Sequence, residues 1–350
     1  MKKIIKIILI LLLLIGGVAL NSAYQLGHFK TINNFSSGKA KHIDGLIGTE
    51  DITIDQTTGI AFLSADDRRS NRQGVDKKGV IYTLNMNDSI LTPIAKTTDF
   101  QQADFHPHGI SLFTTPEGKK RLFVINHRKS GNFIEIFDYK NDSLQHLESI
   151  SDTLLLSPND IVGVGERSFY VTNDHNEKAS KWRSFKDLLR IGTGNVCYFD
   201  GQKMQKTGIE GIQYANGINC SKDGKTLYLA GTSATAIWLF NRDIATGALT
   251  EIEKIDTHTG VDNIELDTEG VLWVGCHPHM LKFLSHAKDE TVFSPSEVIA
   301  ITYKSKGVYG QKTVYMNDGA FISGSAVGAV YKGKLLIGPV FAPYIVVDRL

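Results

Sequence analysis

The 350-residue chain is 42% hydrophobic and 21% charged, with 38 Lys and Arg against 37 Asp and Glu for a formal net charge of +1. This balance suits a globular body with an ordinary core and excludes the basic footprint of a nucleic-acid binder. No GxGxxG, P-loop, HExxH or GxSxG pattern occurs, so the common dinucleotide, nucleotide, zincin and serine-hydrolase signals are absent.

In chain order, the first segment places Lys2, Lys3 and Lys6 ahead of an apolar run from Ile7 to Leu20. It has the n- and h-regions of a secretory signal and is a little short for a membrane span. Asn21 stands where a cleavage site ending at Ala23 requires a small residue, and no Cys follows the run for lipid attachment. Residues 1–24 therefore read as a signal peptide or a retained membrane anchor, and residues 25–350 as the functional domain. In both readings the lysines stay cytoplasmic and the body is exported.

From Glu50 onward one pattern recurs: a polar head, an Ile one or two residues later, a turn rich in Gly, Asp or Glu, and an apolar strand. The copies are EDITIDQTTGIAFLSADD from Glu50, HGISLFTTPEGKKRLFVINH from His108, NDIVGVGERSFYVTNDH from Asn159, NGINCSKDGKTLYLAGTS from Asn216 and VDNIELDTEGVLWVGC from Val261. A degenerate sixth copy lies at 323–341. Strands and turns repeating every roughly 45 to 60 residues predict an all-β chain, a six-bladed β-propeller with about one four-stranded blade per repeat. Residues 79–86, 133–140, 195–201, 236–243, 280–286 and 312–318 are further expected strands, rich in aromatic and β-branched residues. One helical insertion interrupts the pattern at 178–192, where Trp182, Phe185, Leu188 and Leu189 share a face and Lys181, Lys186 and Arg190 do not. A lid, a membrane-surface contact and a helix packed on the propeller are all open for it. Cys197, Cys220 and Cys276 are odd in number and sit in or beside apolar strands, which suits buried free thiols.

Equivalent positions in a radial fold share one face, so the heads converge on the central channel. Glu50, Asn159, Asn216, Asp262 and Asn263 then offer oxygen ligands only, two of them charged. That set suits Ca²⁺ with its six to eight hard oxygen ligands better than Mg²⁺, which usually keeps several waters. The neighbours Asp51 and Asp160 point to the other side of an extended chain, toward a second ion deeper in the channel. Any one of these residues alone reads as a turn or strand cap; the shared register is what favours metal.

The motifs HPHGISLF, SPNDIVGVG, FYVTNDH, YANGINCSKDGKTLYLA, VDNIELD, LWVGCHPH and GSAVGAVYKGKLLIGPVF occur in the order found in the serum paraoxonase/arylesterase family, which the chain resembles from about Gly48 to Phe341. The resemblance implies a six-bladed propeller with a catalytic and a structural Ca²⁺, two ions in all, that hydrolyses aryl esters and lactones. Glu50, Asn159, Asn216, Asp262 and Asn263 match the ligands of the catalytic ion. Asp51, Asp160 and the carbonyl of Ile110 match those of the structural ion. His108 is implied as general base with His127 behind it as a relay, and Asp174, His175 and His277 as lining the same pocket. Vertebrate members join their two ends by a disulfide, whereas this chain has no Cys before 197 or after 276. The loop at 65–78, ADDRRSNRQGVDKK, is also far more charged than the family's substrate-covering loop.

The expected chemistry is attack of an activated water on a carbonyl polarised by calcium. An imidazole suits the role of base because it titrates near neutral pH. Asp262 as base or nucleophile is a competing assignment. The expected partner is a small ester or lactone, with no nucleic acid, and with membrane association through the N-terminus and the 178–192 helix. A gluconolactonase-like sugar-lactone hydrolase and a non-catalytic, calcium-stabilised binding propeller are the alternatives.

Overall fold

Six antiparallel sheets surround one axis in the computed structural model, which describes residues 2–97, 100, 104–177 and 180–350. The six innermost strands are Thr49–Asp55, Pro107–Thr114, Pro158–Gly163, Ala215–Cys220, Gly260–Leu266 and Ser325–Tyr331. Each packs on the next, and the last packs on the first. The chain is thus a six-bladed β-propeller whose inner strands begin within two residues of the expected heads. We number the blades I to VI in that order.

A closed ring needs a fastener, and here the N-terminal part of the body supplies it. Lys41–Asp44 pairs with Tyr344–Arg349, with Lys41 opposite Val347 and Asp44 opposite Tyr344, and so forms the outer strand of blade VI. Phe35–Ser36 adds a fifth strand outside Val308–Asn317 of blade V. Main-chain pairing thereby joins the two ends of the propeller without a covalent link.

Every inner strand carries a register shift at its head. The shifts fall between Thr49 and Asp51, Pro107 and Ile110, Pro158 and Ile161, Ala215 and Ile218, Val261 and Ile264, and Ser325 and Val327. A bulge frees residues from the ladder and re-aims their side chains. Glu50, His108, Asn159, Asp160, Asn216, Asp262 and Asn263 all lie inside these bulges. The adjacent Asp262 and Asn263 therefore owe their placement to an interrupted ladder, not to the simple alternation of an extended strand. Two bulges also require glycine. A Cβ on Gly109 would stand 2.6 Å from Asn159 O, and one on Gly217 would stand 2.4 Å from Asp262 O, so a larger residue would force the inner strands apart at the axis.

Between blades the core is aromatic and branched aliphatic. Phe123, Phe169 and Phe199 pack between blades II and III, with the Phe169 and Phe199 rings stacked at 5.1 Å. Truncating one such Phe costs about 3–5 kcal/mol, enough to loosen a blade.

Four helices decorate this frame: α1 Lys2–Gln25, α2 Arg68–Arg72, α3 Lys181–Leu188 and α4 Met280–His286. Helix α4 corrects the strand expected at 280–286, because His279 caps it by accepting from Lys282 N at 3.4 Å. The blade V strand that this expectation displaced is Ser296–Ser305. Helix α1 is 24 residues long, and Lys3–Gln25 is long and apolar enough to cross a membrane, so the apolar run is longer than its strictly uncharged part suggests. Helix α3 falls within the expected insertion, of which residues 178 and 179 lie outside the described residues. Its Trp182 is 68% exposed and its Phe185 52% exposed, so these two rings of the apolar face stand in solvent.

Candidate active site and metal centre

Glu50, Asn159, Asn216, Asp262 and Asn263 are all buried at the channel. Glu50, Asn216, Asp262 and Asn263 are each tethered through one side-chain atom while another oxygen stays bare. Asn216 Nδ2 donates to Thr232 Oγ1 at 2.9 Å, and Asn263 Nδ2 donates to Glu50 O and Glu50 Oε1, both at 3.0 Å. Asp262 Oδ2 lies 2.8 Å from His277 Nε2. Among the described residues, Glu50 Oε2, Asn159 Oδ1, Asn216 Oδ1, Asp262 Oδ1 and Asn263 Oδ1 are buried without a hydrogen-bond partner. Each such orphan costs about 1–3 kcal/mol. Five on one ring exceed what a native fold leaves unpaired without a ligand, and an all-oxygen set fits a hard cation.

Below this ring, backbone amides hold two further carboxylates. Asp51 accepts from Ile52 N at 2.8 Å and from Ile110 N at 2.7 Å, and Asp160 accepts from Ile161 N at 2.7 Å and from Ile218 N at 2.6 Å. These bonds stitch blade I to II and blade III to IV. Burial, then the charge of Glu50, pushes the Asp51 carboxyl well above the usual range, and burial, then Asp51, does the same to Asp160. Burial also raises Asp262 despite its His277 partner. Glu50 goes the other way. Burial opposes its charge, but the charge His108 carries when protonated, with Arg68 and Asn263, holds it down at about 2. The channel thus crowds four buried carboxyls together, and their ionisation would be favoured by a bound cation.

His108 stands at the rim with its Nε2 3.5 Å from Glu50 Oε2. Its Nδ1 lies 2.8 Å from His127 Nε2, and His127 Nδ1 lies 2.8 Å from Asn132 Oδ1. Asn132 Nδ2 donates to Leu155 O at 2.9 Å, which turns its carbonyl oxygen toward His127. The chain of bonds then has one direction. His127 donates from Nδ1 to Asn132 and accepts at Nε2 from His108 Nδ1–H, which leaves the lone pair of His108 Nε2 free. Burial, reinforced by His108, lowers His127 to about 4, so it is neutral at physiological pH as this arrangement requires.

Above the ring lies a cavity of about 220 Å³. Glu50, His108 and Asp262 are at its floor. Leu26, Leu188 of α3, Met280 and Phe283 of α4, and Phe341 form its apolar wall. His277 lines it, stacked on Phe283 at 3.7 Å. Asp174 and His175 are not among the lining residues. The His175 ring bonds Asp174 Oδ1 at 2.9 Å and Asp187 Oδ1 of α3 at 3.0 Å, so this pair ties the helix to blade III beside the cavity. His127 likewise lies behind His108 and opens onto a neighbouring cleft.

Sequence reading missed four contributors. Arg68 and Arg72 bring the charged 65–78 loop to the cavity, where Arg68 donates to Gly48 O at 2.6 Å and Pro107 O at 3.2 Å; the charge of that loop was the available signal. Leu26 reaches the wall because Met280 N donates to Leu26 O at 3.1 Å and Lys30 pairs with Glu297 at 2.9 Å. Asn132 sits in a hairpin beside Gly131, whose φ is +142°, and nothing in its local sequence marks it.

Bulge-borne oxygens on the axis, a histidine pair and a half-apolar cavity define a propeller hydrolase. Comparison with known proteins agrees. The family model described as Arylesterase matches residues 30–347. The chain is 35% identical over 333 residues to serum paraoxonase/arylesterase 1 of Mus musculus, covering 91% of this chain and 92% of that protein. It is 33% identical over 309 residues to serum paraoxonase/lactonase 3 of Oryctolagus cuniculus, covering 85% of each. Among solved structures, a luciferin-regenerating enzyme superposes with a TM-score of 0.57 at 14% identity, covering 90% of this chain and 96% of that one. A gluconolactonase from Xanthomonas campestris gives 0.54 at 14% identity, covering 91% of each chain. These two speak for the fold alone. The chain belongs to the arylesterase family.

Proposed function

We propose that this protein is a calcium-dependent hydrolase of carboxylic esters and lactones that uses His108 as general base. The observation that carries the reading is the set of five unpaired buried oxygens directly beneath a cavity that His108 lines, with its Nδ1 held by His127 and its Nε2 3.5 Å from Glu50 Oε2. Glu50, Asn159, Asn216, Asp262 and Asn263 would hold a catalytic ion, and Asp51, Asp160 and the Ile110 carbonyl a structural one. The catalytic ion, when bound, supplies Lewis-acid polarisation of the substrate carbonyl and charge stabilisation for its oxygen. The protein's own residues do the rest. The apolar wall holds the acyl or aryl part and excludes water. His108 Nε2 takes a proton from the attacking water as its oxygen bonds the carbonyl carbon, and returns that proton to the departing alkoxide when the ester C–O bond breaks. His127 and Asn132 keep the His108 lone pair aimed at the cavity. Asp262 is less suited to be the base, because one oxygen is committed to His277 at 2.8 Å and the other belongs to the donor ring.

The N-terminal helix supports export with a signal peptide or a retained anchor. Leu26 follows α1 and Leu188 ends α3, and both line the cavity, while Trp182 and Phe185 remain exposed. Such a mouth suits a body held at a membrane surface and a partly apolar substrate.

The deciding experiment is hydrolysis of phenyl acetate and of a simple lactone, before and after chelation and after Ca²⁺ is restored. Activity that survives complete chelation would remove calcium from the mechanism. Absence of turnover on both substrates with calcium bound would favour a binding propeller.

A further inference from the structure

Three residues beyond the donor ring the inner strands present a second ring. Thr53 follows Glu50, Ser111 follows His108, Val162 follows Asn159, Asn219 follows Asn216 and Glu265 follows Asp262. These side chains line a separate cavity of about 440 Å³ at the opposite end of the channel, among exposed turn residues such as Thr57 and Lys222.

Glu265 is the acid of this lower ring, and it is only 7% exposed. Its contacts are all neutral: Thr53 Oγ1 at 3.4 Å, Asn219 Nδ2 at 3.3 Å and the Ile54 amide. A carboxylate buried without a cation partner is costly unless a counter-charge reaches it. Glu50, Asp51, Asp160, Asp262 and Glu265 bring five buried carboxylates to the channel. The two calcium ions proposed above neutralise four, and the one left over faces the open lower cavity. Glu265 reaches Thr53 Oγ1, which stands two residues beyond Asp51 on the same inner strand, so the acid lies next to the inner site. From the other end, that inner site lies beneath the upper donor ring, the cavity and the segments that wall it.

We propose that Glu265 makes the lower cavity the route by which Ca²⁺ reaches the Asp51–Asp160 site, drawing the cation in from the face opposite the substrate. A negative group in a low-dielectric cleft focuses the field along the channel and raises cation capture, and the hydroxyls of Thr53 and Ser111 substitute for water as the ion sheds its shell. The inference rests on the calcium reading of the channel.

Glu265→Gln tests it, because the amide keeps the shape and the contacts to Thr53 and Asn219 but carries no charge. The affinity of the full chain for Ca²⁺ is measured by competition with a fluorescent chelator. The release rate comes from mixing the calcium-loaded protein with excess chelator, and the two together give the uptake rate. Uptake should fall roughly tenfold, the lower end of what charge focusing supplies, with release changed far less, since a charge on the approach path acts on association. The loss should shrink as salt is added. Uptake within twofold of the parental chain, or an effect confined to release, overturns the proposal. A parental chain that binds no Ca²⁺ overturns instead the reading on which it rests.

Discussion

Asn132 Oδ1 lies 2.8 Å from His127 Nδ1, and this single contact sets the direction of every proton between it and the pocket. With its amide nitrogen committed to Leu155 O, Asn132 can only accept from His127. His127 can then only accept from His108, and the outward nitrogen of His108 is left basic.

Replacing Asn132 by Leu should cut turnover by about 10- to 100-fold, the usual cost of losing a partner that orients a working histidine. Calcium affinity should be unchanged, and Asn132→Gln should recover part of the loss. Equal turnover in the Leu variant would show that the tautomer is set elsewhere.

His108→Gln keeps a polar side chain of similar reach but cannot take a proton near pH 7. Ester and lactone turnover should fall by roughly 10² to 10⁴, with calcium affinity nearly parental because the five ring oxygens are untouched. If more than about a third of the activity survives, His108 is not the base and Asp262 becomes the candidate.

Calcium removal should lower both turnover and the melting temperature, since a ligand bound only by the native state stabilises it by mass action. The two sites should divide these effects. Asp160→Ala removes the acceptor of the Ile161 and Ile218 amides and should mainly lose stability, whereas Asn216→Ala opens the upper ring and should mainly lose turnover. Equal losses of both kinds in the two variants would contradict the division.

The upper repeats were legible because heads, turns and strands recur with an Ile at a fixed offset, and the donor set followed from that register. Two things were hidden. The bulges that aim Asp262 and Asn263 together depend on hydrogen bonds between strands, which a single chain does not display. The helix at Met280–His286 follows a Gly-Cys-His strand and carries Leu, Phe and Met, residues that serve a buried strand equally well over seven positions. Its capping residue, His279, is not one of the usual N-cap types. Asp174 and His175 were read toward the pocket because their binding partner, Asp187, arrives from an insertion whose docking the sequence does not fix.

That docking should depend on pH. Burial works against charge on His175, but Asp174 and Asp187 outweigh it and raise the ring to about 9 from 6.5. The shift corresponds to about 3 kcal/mol of native-state stabilisation. Because the folded value is the higher one, this contribution is complete below pH 6.5, declines as pH rises and is lost above about 9. Protease nicking of α3, normalised to an unfolded substrate, should therefore increase from pH 6 to pH 10, roughly the span set by the shift. Asp187→Asn should flatten the profile. Constant nicking in the parental chain would remove His175 from this role.

The pairing of Lys41–Asp44 with Tyr344–Arg349 also sets the order of events during synthesis. At roughly 5–20 residues per second, the early strand waits tens of seconds for its partner to be made, and until then blade VI has no outer edge. A chain that stops short of that last strand keeps an open ring and an incomplete axis. The channel is therefore completed late: the buried oxygens of Glu50, Asn159, Asn216, Asp262 and Asn263 come from blades I, III, IV and V and converge only when the ring closes.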